Sequence, residues 1–162
     1  MKLISERTEA RWNCVFISIK MGKIRFFNED ITYRLNNKKK IGEWINTIIN
    51  YENSKILENL NIILCSDQYL LSMNKHYLNH TTLTDVLTFN ISNKTEVIDG
   101  EVYISVDRVK ENGSIFGVSL QNELKRVIIH GVLHLIGYND QNKEDKKRMK
   151  DLEDTYLKLI KE

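Results

Sequence analysis

Cysteine is scarce: Cys14 and Cys65 are the only two in 162 residues. Two are too few for a disulfide framework, and neither has a second Cys nearby, as a zinc-binding pair requires. A reducing, cytoplasmic setting is therefore expected. Long apolar runs are missing as well. Nothing approaches the roughly 18 consecutive residues of a membrane span. The run Val15-Phe16-Ile17 is too short for a secretory signal and follows several charges. Excess charge is absent too, since 24 basic and 22 acidic residues leave a formal net of +2. Bulk electrostatics thus give no strong pull toward nucleic acid, although a local patch stays open. Proline does not occur, within an Asn-, Lys- and Ile-rich bias. There is no internal repeat, low-complexity tract or linker. What remains is an ordinary globular balance in a single domain's length, enough to bury about two-thirds of the unfolded surface.

Residues 1–20 show neither clean alternation nor a sustained helical stripe. With Met21 following, they read as an N-terminal extension, Met1 and Met21 being the alternative starts; a strand over Cys14 to Ile19 is the competing reading. The single domain is then 21–162. Lys23 to Phe27 predicts a short strand. Ile41, Trp44, Ile45, Ile48 and Ile49 form one apolar face on a 3.6-residue period, a helix that Asn36 or Asn37 can cap. Its Lys38-Lys39-Lys40 lies where the helix dipole disfavours cations, and reads as a solvated run or a phosphate-facing patch. Asn61 to Cys65 predicts a strand covered on both faces, and Ser66 a cap for the next helix. Asp85 to Ile91 has strand character, Asp99-Gly100 is a turn signal, and Glu101 to Val106 resumes a strand. A short helix from Asp107 should end at Gly113. Ser119 opens a largely buried helix with Leu120, Leu124, Val127, Ile128 and Leu135 on its core side. Lys143 to Ile160 is amphipathic, with Met149, Leu152, Tyr156 and Leu159 on one side. The sum is an α+β domain, about four strands in a mixed sheet and about five helices.

Within the buried helix stand His130 and His134. Four residues apart, they share a face about 6 Å apart along the axis, close enough to converge on one metal ion. Gly137 permits a left-handed residue that ends the helix, and the turn can return Asp140 as a third ligand. A buried His usually satisfies a core hydrogen bond, but pair, glycine bend and carboxylate together point to a zinc-type site. His76 and His80 repeat the spacing, yet straddle a helix end with no bend to supply a third ligand. The order H-x-x-x-H-x-x-G-x-x-D resembles the metzincin proteases, H-E-x-x-H-x-x-G-x-x-H. Gly131, however, stands where that mechanism needs a glutamate to deprotonate water.

The stretch His130-Gly131-Val132-Leu133-His134-Leu135-Ile136-Gly137-Tyr138 more closely resembles the YbeY family of metal-dependent endoribonucleases, whose signature is H-G-x-L-H-L-x-G-Y-D-H. Met73-Asn74 through Tyr77, Thr84 to Phe89 and Gly100 to Ser105 resemble further family segments. The colinear likeness covers roughly 21–160, with a zincin-like metal helix at its centre. Two departures stand out: Asp140 replaces the usual last His, and Leu78 replaces an Arg suited to phosphate, for which Lys75 or Arg126 are possible substitutes.

The resemblance implies one divalent transition metal, zinc first, on His130, His134 and Asp140. It implies cleavage of single-stranded RNA in ribosomal RNA maturation at the small-subunit 3′ end and in ribosome quality control. Ribosomal RNA and the small subunit are the implied partners. Glu101 and Asp85 are the candidate general bases, each with a strand-end structural role as its alternative. A ribosome-assembly factor with a structural metal and a zinc metallopeptidase are the competing readings, and a two-His, one-carboxylate iron oxygenase is remote.

Overall fold

Alternation along the strands decides which helices each sheet face meets. The computed structural model describes residues 21–52 and 55–160. Among them are four strands, β1 (Lys23–Asn28), β2 (Ile56–Cys65), β3 (Val86–Asn90) and β4 (Val97–Ser105). Five helices accompany them: α1 (Lys38–Glu52), α2 (Asp67–Leu78), α3 (Val106–Phe116), α4 (Leu120–Leu135) and α5 (Lys143–Leu157). The sheet order is β1-β2-β4-β3, with β1, β2 and β4 parallel and β3 antiparallel to β4. This is the expected single α+β domain. The extension assigned to 1–20, with its alternative strand, lies outside the described residues.

Leu60, Ile62 and Leu64 of β2, with Val102 and Ile104 of β4, face a core shared with α1, α4 and α5. Cys65 and Leu87 face the other way, onto Leu70 of α2. The apolar run of β2 therefore is covered on both faces near its end, where Ile62 to Cys65 are all buried. Burial pushes the Cys65 thiol up to about 12, so it is a small core hydrophobe and not a thiolate.

Three helices begin on a serine cap, two of them (Ser66 and Ser119) expected from the sequence and the third, Ser105, read there only as strand. Ser66, Ser105 and Ser119 accept from the N–H groups of Tyr69, Arg108 and Asn122, each contact contributing about 1 kcal/mol. Asn142 caps α5 in the same way. At the start of α1, by contrast, Asn37 adopts φ 56° and its backbone carbonyl accepts from Ile41.

Two glycine readings are corrected. Asp99-Gly100 is not a turn but the middle of β4, where Gly100 pairs with Leu60 on one side and Asn90 on the other. The chain reverses earlier, across Ser92 to Glu96. Likewise α3 does not end at Gly113, which is buried within it, but at Gly117 in the left-handed region with φ 67°. Both errors took glycine for flexibility where close packing requires it. A Cβ on Gly100 would lie 2.7 Å from Leu135 Cδ1 and 2.9 Å from the Phe89 carbonyl oxygen. The reciprocal contact is at Gly131 of α4, where a Cβ would meet Val102 Cγ1 at 2.5 Å and Val86 Cγ2 at 3.0 Å. At the other end of the chain, Leu159 is exposed, not core-facing, because α5 has ended and Ile160 turns inward instead.

Gly131→Ala gains about 1 kcal/mol of helix propensity. It must nevertheless displace stiff, buried Val102, and overpacking of that kind costs about 1–3 kcal/mol. The expected net effect is a lower denaturant midpoint in equilibrium unfolding; a raised midpoint would show that α4 can lift off the sheet at little cost.

Candidate metal centre

The site starts from the end of α4. The Gly137 N–H bonds the His134 carbonyl at 3.0 Å and the Tyr138 N–H bonds the Leu133 carbonyl at 3.0 Å, with Gly137 at φ 110°. This paired pattern is a Schellman ending, and it reverses the chain just after the second histidine. Tyr138 is then pinned. Its hydroxyl donates to Glu52 Oε2 at 2.5 Å, Tyr156 donates to the other oxygen of the same carboxylate, and Arg148 lies 4.9 Å over the Tyr138 ring. Two residues on, Asp140 returns toward the histidines as expected.

The histidine tautomers follow from their partners. His130 Nδ1 is 2.7 Å from Glu153 Oε1, and His134 Nδ1 is 2.9 Å from the Tyr138 carbonyl oxygen. An ionised carboxylate and a carbonyl only accept, so each Nδ1 carries the hydrogen. In the neutral rings that leaves both Nε2 atoms with lone pairs. They face one another at 2.9 Å with the rings at 89°. Asp140 adds oxygens 4.0 Å from His130 Nε2 and 3.9 Å from His134 Nε2. Around a tetrahedral zinc with bonds of 2.0–2.2 Å, neighbouring donor atoms sit about 3.3 Å apart. The two imidazole distances run to different oxygens of Asp140. With one ligand atom per residue the three atoms lie within 4.8 Å of one another, wider than that value on the carboxylate side. The donor set fits one such ion once Asp140 closes in by about an ångström. Among the described residues, this is the one group of three His, Cys or acidic side chains placed to do so.

Burial of His130 favours its neutral form, but the Glu153 hydrogen bond and charge outweigh that, helped by Asp85 and Asp140. Together they hold its pKa above the ordinary value. Protons therefore compete with a metal for this ring up to a higher pH than for an isolated imidazole, and affinity declines as pH falls through that raised pKa.

Glu153 was not singled out from the sequence, although a signal existed. It falls between Met149 and Tyr156 on the buried stripe of α5, an acid among apolar positions. Arg126, considered as a phosphate contact, is instead held by Glu153 at 3.1 Å and Asp154 at 2.8 Å. Glu123, in the first turn of α4 where the dipole favours an acid, is buried, with Oε2 lacking a hydrogen bond. Burial raises its pKa despite nearby Arg126, and Asp85 and Glu153 add to the rise.

The other sequence candidates separate. Asp85 borders a cleft of about 570 Å³ shared with His130, Asp140 and Glu153. Glu101 does not: it projects from the opposite sheet face to Val102, hydrogen-bonded to Asn61 at 3.2 Å and Tyr103 at 2.8 Å. Strand alternation, which a motif match ignores, turns it away. His76 packs edge-on against Tyr77 on exposed α2, and His80 follows the left-handed cap Asn79. Lys75 is exposed on α2 and does not border the cleft; Leu78 closes the same helix.

A family model described as Endoribonuclease YbeY matches residues 23–161. A protein of that name from Cytophaga hutchinsonii is 45% identical over 138 residues, covering 85% of this chain and 96% of its own. Its namesake in Amoebophilus asiaticus is 44% identical over 134 residues, covering 83% and 90%. Among solved structures, the solution structure of TM1509 from Thermotoga maritima matches with a TM-score of 0.57 at 28% identity, over 83% of this chain and 87% of that one.

The Glu153 contact can be tested apart from proton competition. In a chelator-competition titration at a pH where both rings are neutral, Glu153→Gln should weaken zinc affinity by about 10-fold, the scale on which outer partners of ligating histidines act. Equal affinities would show that the carboxylate neither orients nor strengthens the ring.

Proposed function

The chain belongs to the Endoribonuclease YbeY family, and from that premise we propose a metal-dependent endoribonuclease that cuts single-stranded RNA. One observation carries the reading: two imidazole lone pairs, each oriented by a hydrogen bond at Nδ1, come together with one carboxylate beside an open cleft that His130 and Asp140 border. His130, His134 and Asp140 would hold the ion, and two imidazoles with one carboxylate best suit zinc. When bound, the ion supplies Lewis acidity toward a phosphate oxygen and lowers the pKa of a coordinated water or hydroxyl. An aspartate in place of a third imidazole adds negative charge, which makes that water less acidic than three neutral ligands would.

The remaining work falls to the chain. Glu153 and the Tyr138 carbonyl keep the rings in the metal-binding tautomer. Asp85 is the carboxylate candidate bordering the cleft, and we assign it the proton leaving the attacking oxygen. Ribosomal RNA, near the small-subunit 3′ end, is the substrate that the family resemblance indicates, with the small subunit as partner and the cytoplasm as setting. No described helix is long and apolar enough to cross a membrane.

The deciding experiment is cleavage of an unstructured RNA by purified protein, with and without a chelator, alongside co-sedimentation with ribosomal subunits. Cleavage that stops on chelation is expected. Subunit binding with RNA left intact would replace the nuclease by an assembly factor with a structural metal. Asp140→Asn should retain the fold but lose metal in elemental analysis. Asp85→Asn should keep its metal and lose about 100-fold in cleavage rate, the low end for an acid–base group; a rate near wild type would remove Asp85 from the proton path.

A further inference from the structure

The cleft has two rims of different chemistry. On one, α3 ends in Ile115, Phe116, Gly117 and Val118, a corner whose three apolar side chains are 68%, 64% and 42% exposed. It is not a loose loop. Gly117 at φ 67° donates to the Gly113 carbonyl, the Val118 N–H bonds that same oxygen at 2.9 Å, and Ser119 caps the next helix at once. A large apolar ring held in water by a rigid cap, with its side chain bordering the cleft, calls for a ligand with a flat face.

The second rim belongs to α5. Lys146 and Lys150, one helical turn apart on one face, both border the cleft and are exposed. Neither takes part in an ion pair among the described residues. Four acids share the cleft, and none of them pairs with either lysine: Glu153 is held by Arg126 and His130, Asp140 lies in the metal group, Glu123 is buried and Asp85 borders the opening. The floor is thus anionic and suits a metal, while the α5 rim offers two unneutralised cations. Glu123, at the Phe116 end, precedes His130 by seven helical residues, about 10 Å along α4. That is a separation of one to two nucleotides.

We infer that these rims form a single-strand path across the metal group: Phe116 is a stacking platform for a nucleobase, and Lys146 and Lys150 hold the flanking phosphates. The inference rests on the nuclease reading, because it places that substrate's bases and backbone. Stacking on an aromatic ring tolerates any base, so this subsite selects unpaired strands and not a sequence. A base paired in a helix has no free face to offer Phe116.

The test is equilibrium binding by fluorescence anisotropy, using a nuclease-resistant, labelled phosphorothioate oligoadenylate and its abasic counterpart across a salt series. Phe116→Ala, at an exposed position that costs the fold little, should weaken oligoadenylate binding about 10-fold. It should leave abasic binding and the salt slope unchanged, a base–aromatic stack being worth about 1–3 kcal/mol. Lys146→Gln with Lys150→Gln should reduce the log–log salt slope by about 1.4, from two phosphates at about 0.7 each. Wild-type binding with Phe116→Ala unaltered overturns this inference alone, and the apolar corner then belongs to another partner. Equal losses on the abasic strand overturn it as well. Failure of the wild-type protein to bind either strand overturns the nuclease reading and the path together.

Discussion

The contact on which the structure depends is the seating of α4 on β4. It is made by exchanging large and small residues: Gly131 of the helix lies over Val102 of the strand, and Leu135 of the helix lies over Gly100. Nothing bulkier fits at either glycine. This lowers the helix axis onto the sheet and fixes its rotation, so that His130 emerges toward Glu153 of α5 and the cleft, with His134 beside it. The same packing removes the chemistry of the glutamate-dependent peptidases. A glutamate at position 131 would have to occupy the space already filled by Val102 and Val86, so that site cannot be converted to a peptidase by one substitution.

Charge then sorts by depth. Glu123, Asp85, Asp140 and Glu153 line the cleft beside His130, while Arg126 is consumed in ion pairs with Glu153 and Asp154. A near-neutral chain can thus bind both a cation and a polyanion without a net charge that announces either. The +2 overall balance hides a local separation of sign across one cleft.

Much of this was legible in the residues. The helical stripes of α1 and α4 and the caps at Ser66 and Ser119 rest on local rules, and the structure follows them. So did the convergence of His130, His134 and Asp140, because a helix repeat and a glycine ending set it within eleven residues. What was not legible depended on contacts distant in sequence. Glu101 looked like a site residue until pairing with β2 and β3 fixed which way it points. Glu153 sat in plain view on a buried stripe, but only the packing of α5 against α4 shows that it reaches His130. Gly100 and Gly113 read as breaks because a sequence does not display the neighbour that forbids a side chain.

The Glu52 carboxylate joins Tyr138, 86 residues later, to Tyr156, 104 residues later. Its helix is further tied to the chain's end by Trp44, whose indole N–H donates to the Tyr156 carbonyl at 3.0 Å. The turn that aims His134 is therefore closed by a loop of just over half of the chain. Closing so long a loop carries an entropic cost that local structure cannot offset early in folding. The ligand geometry consequently depends on a contact far apart in sequence, complete only when Glu52 of α1 has met Tyr138. A fragment carrying only the eleven-residue motif would present two histidines without the anchored carbonyl that orients one of them.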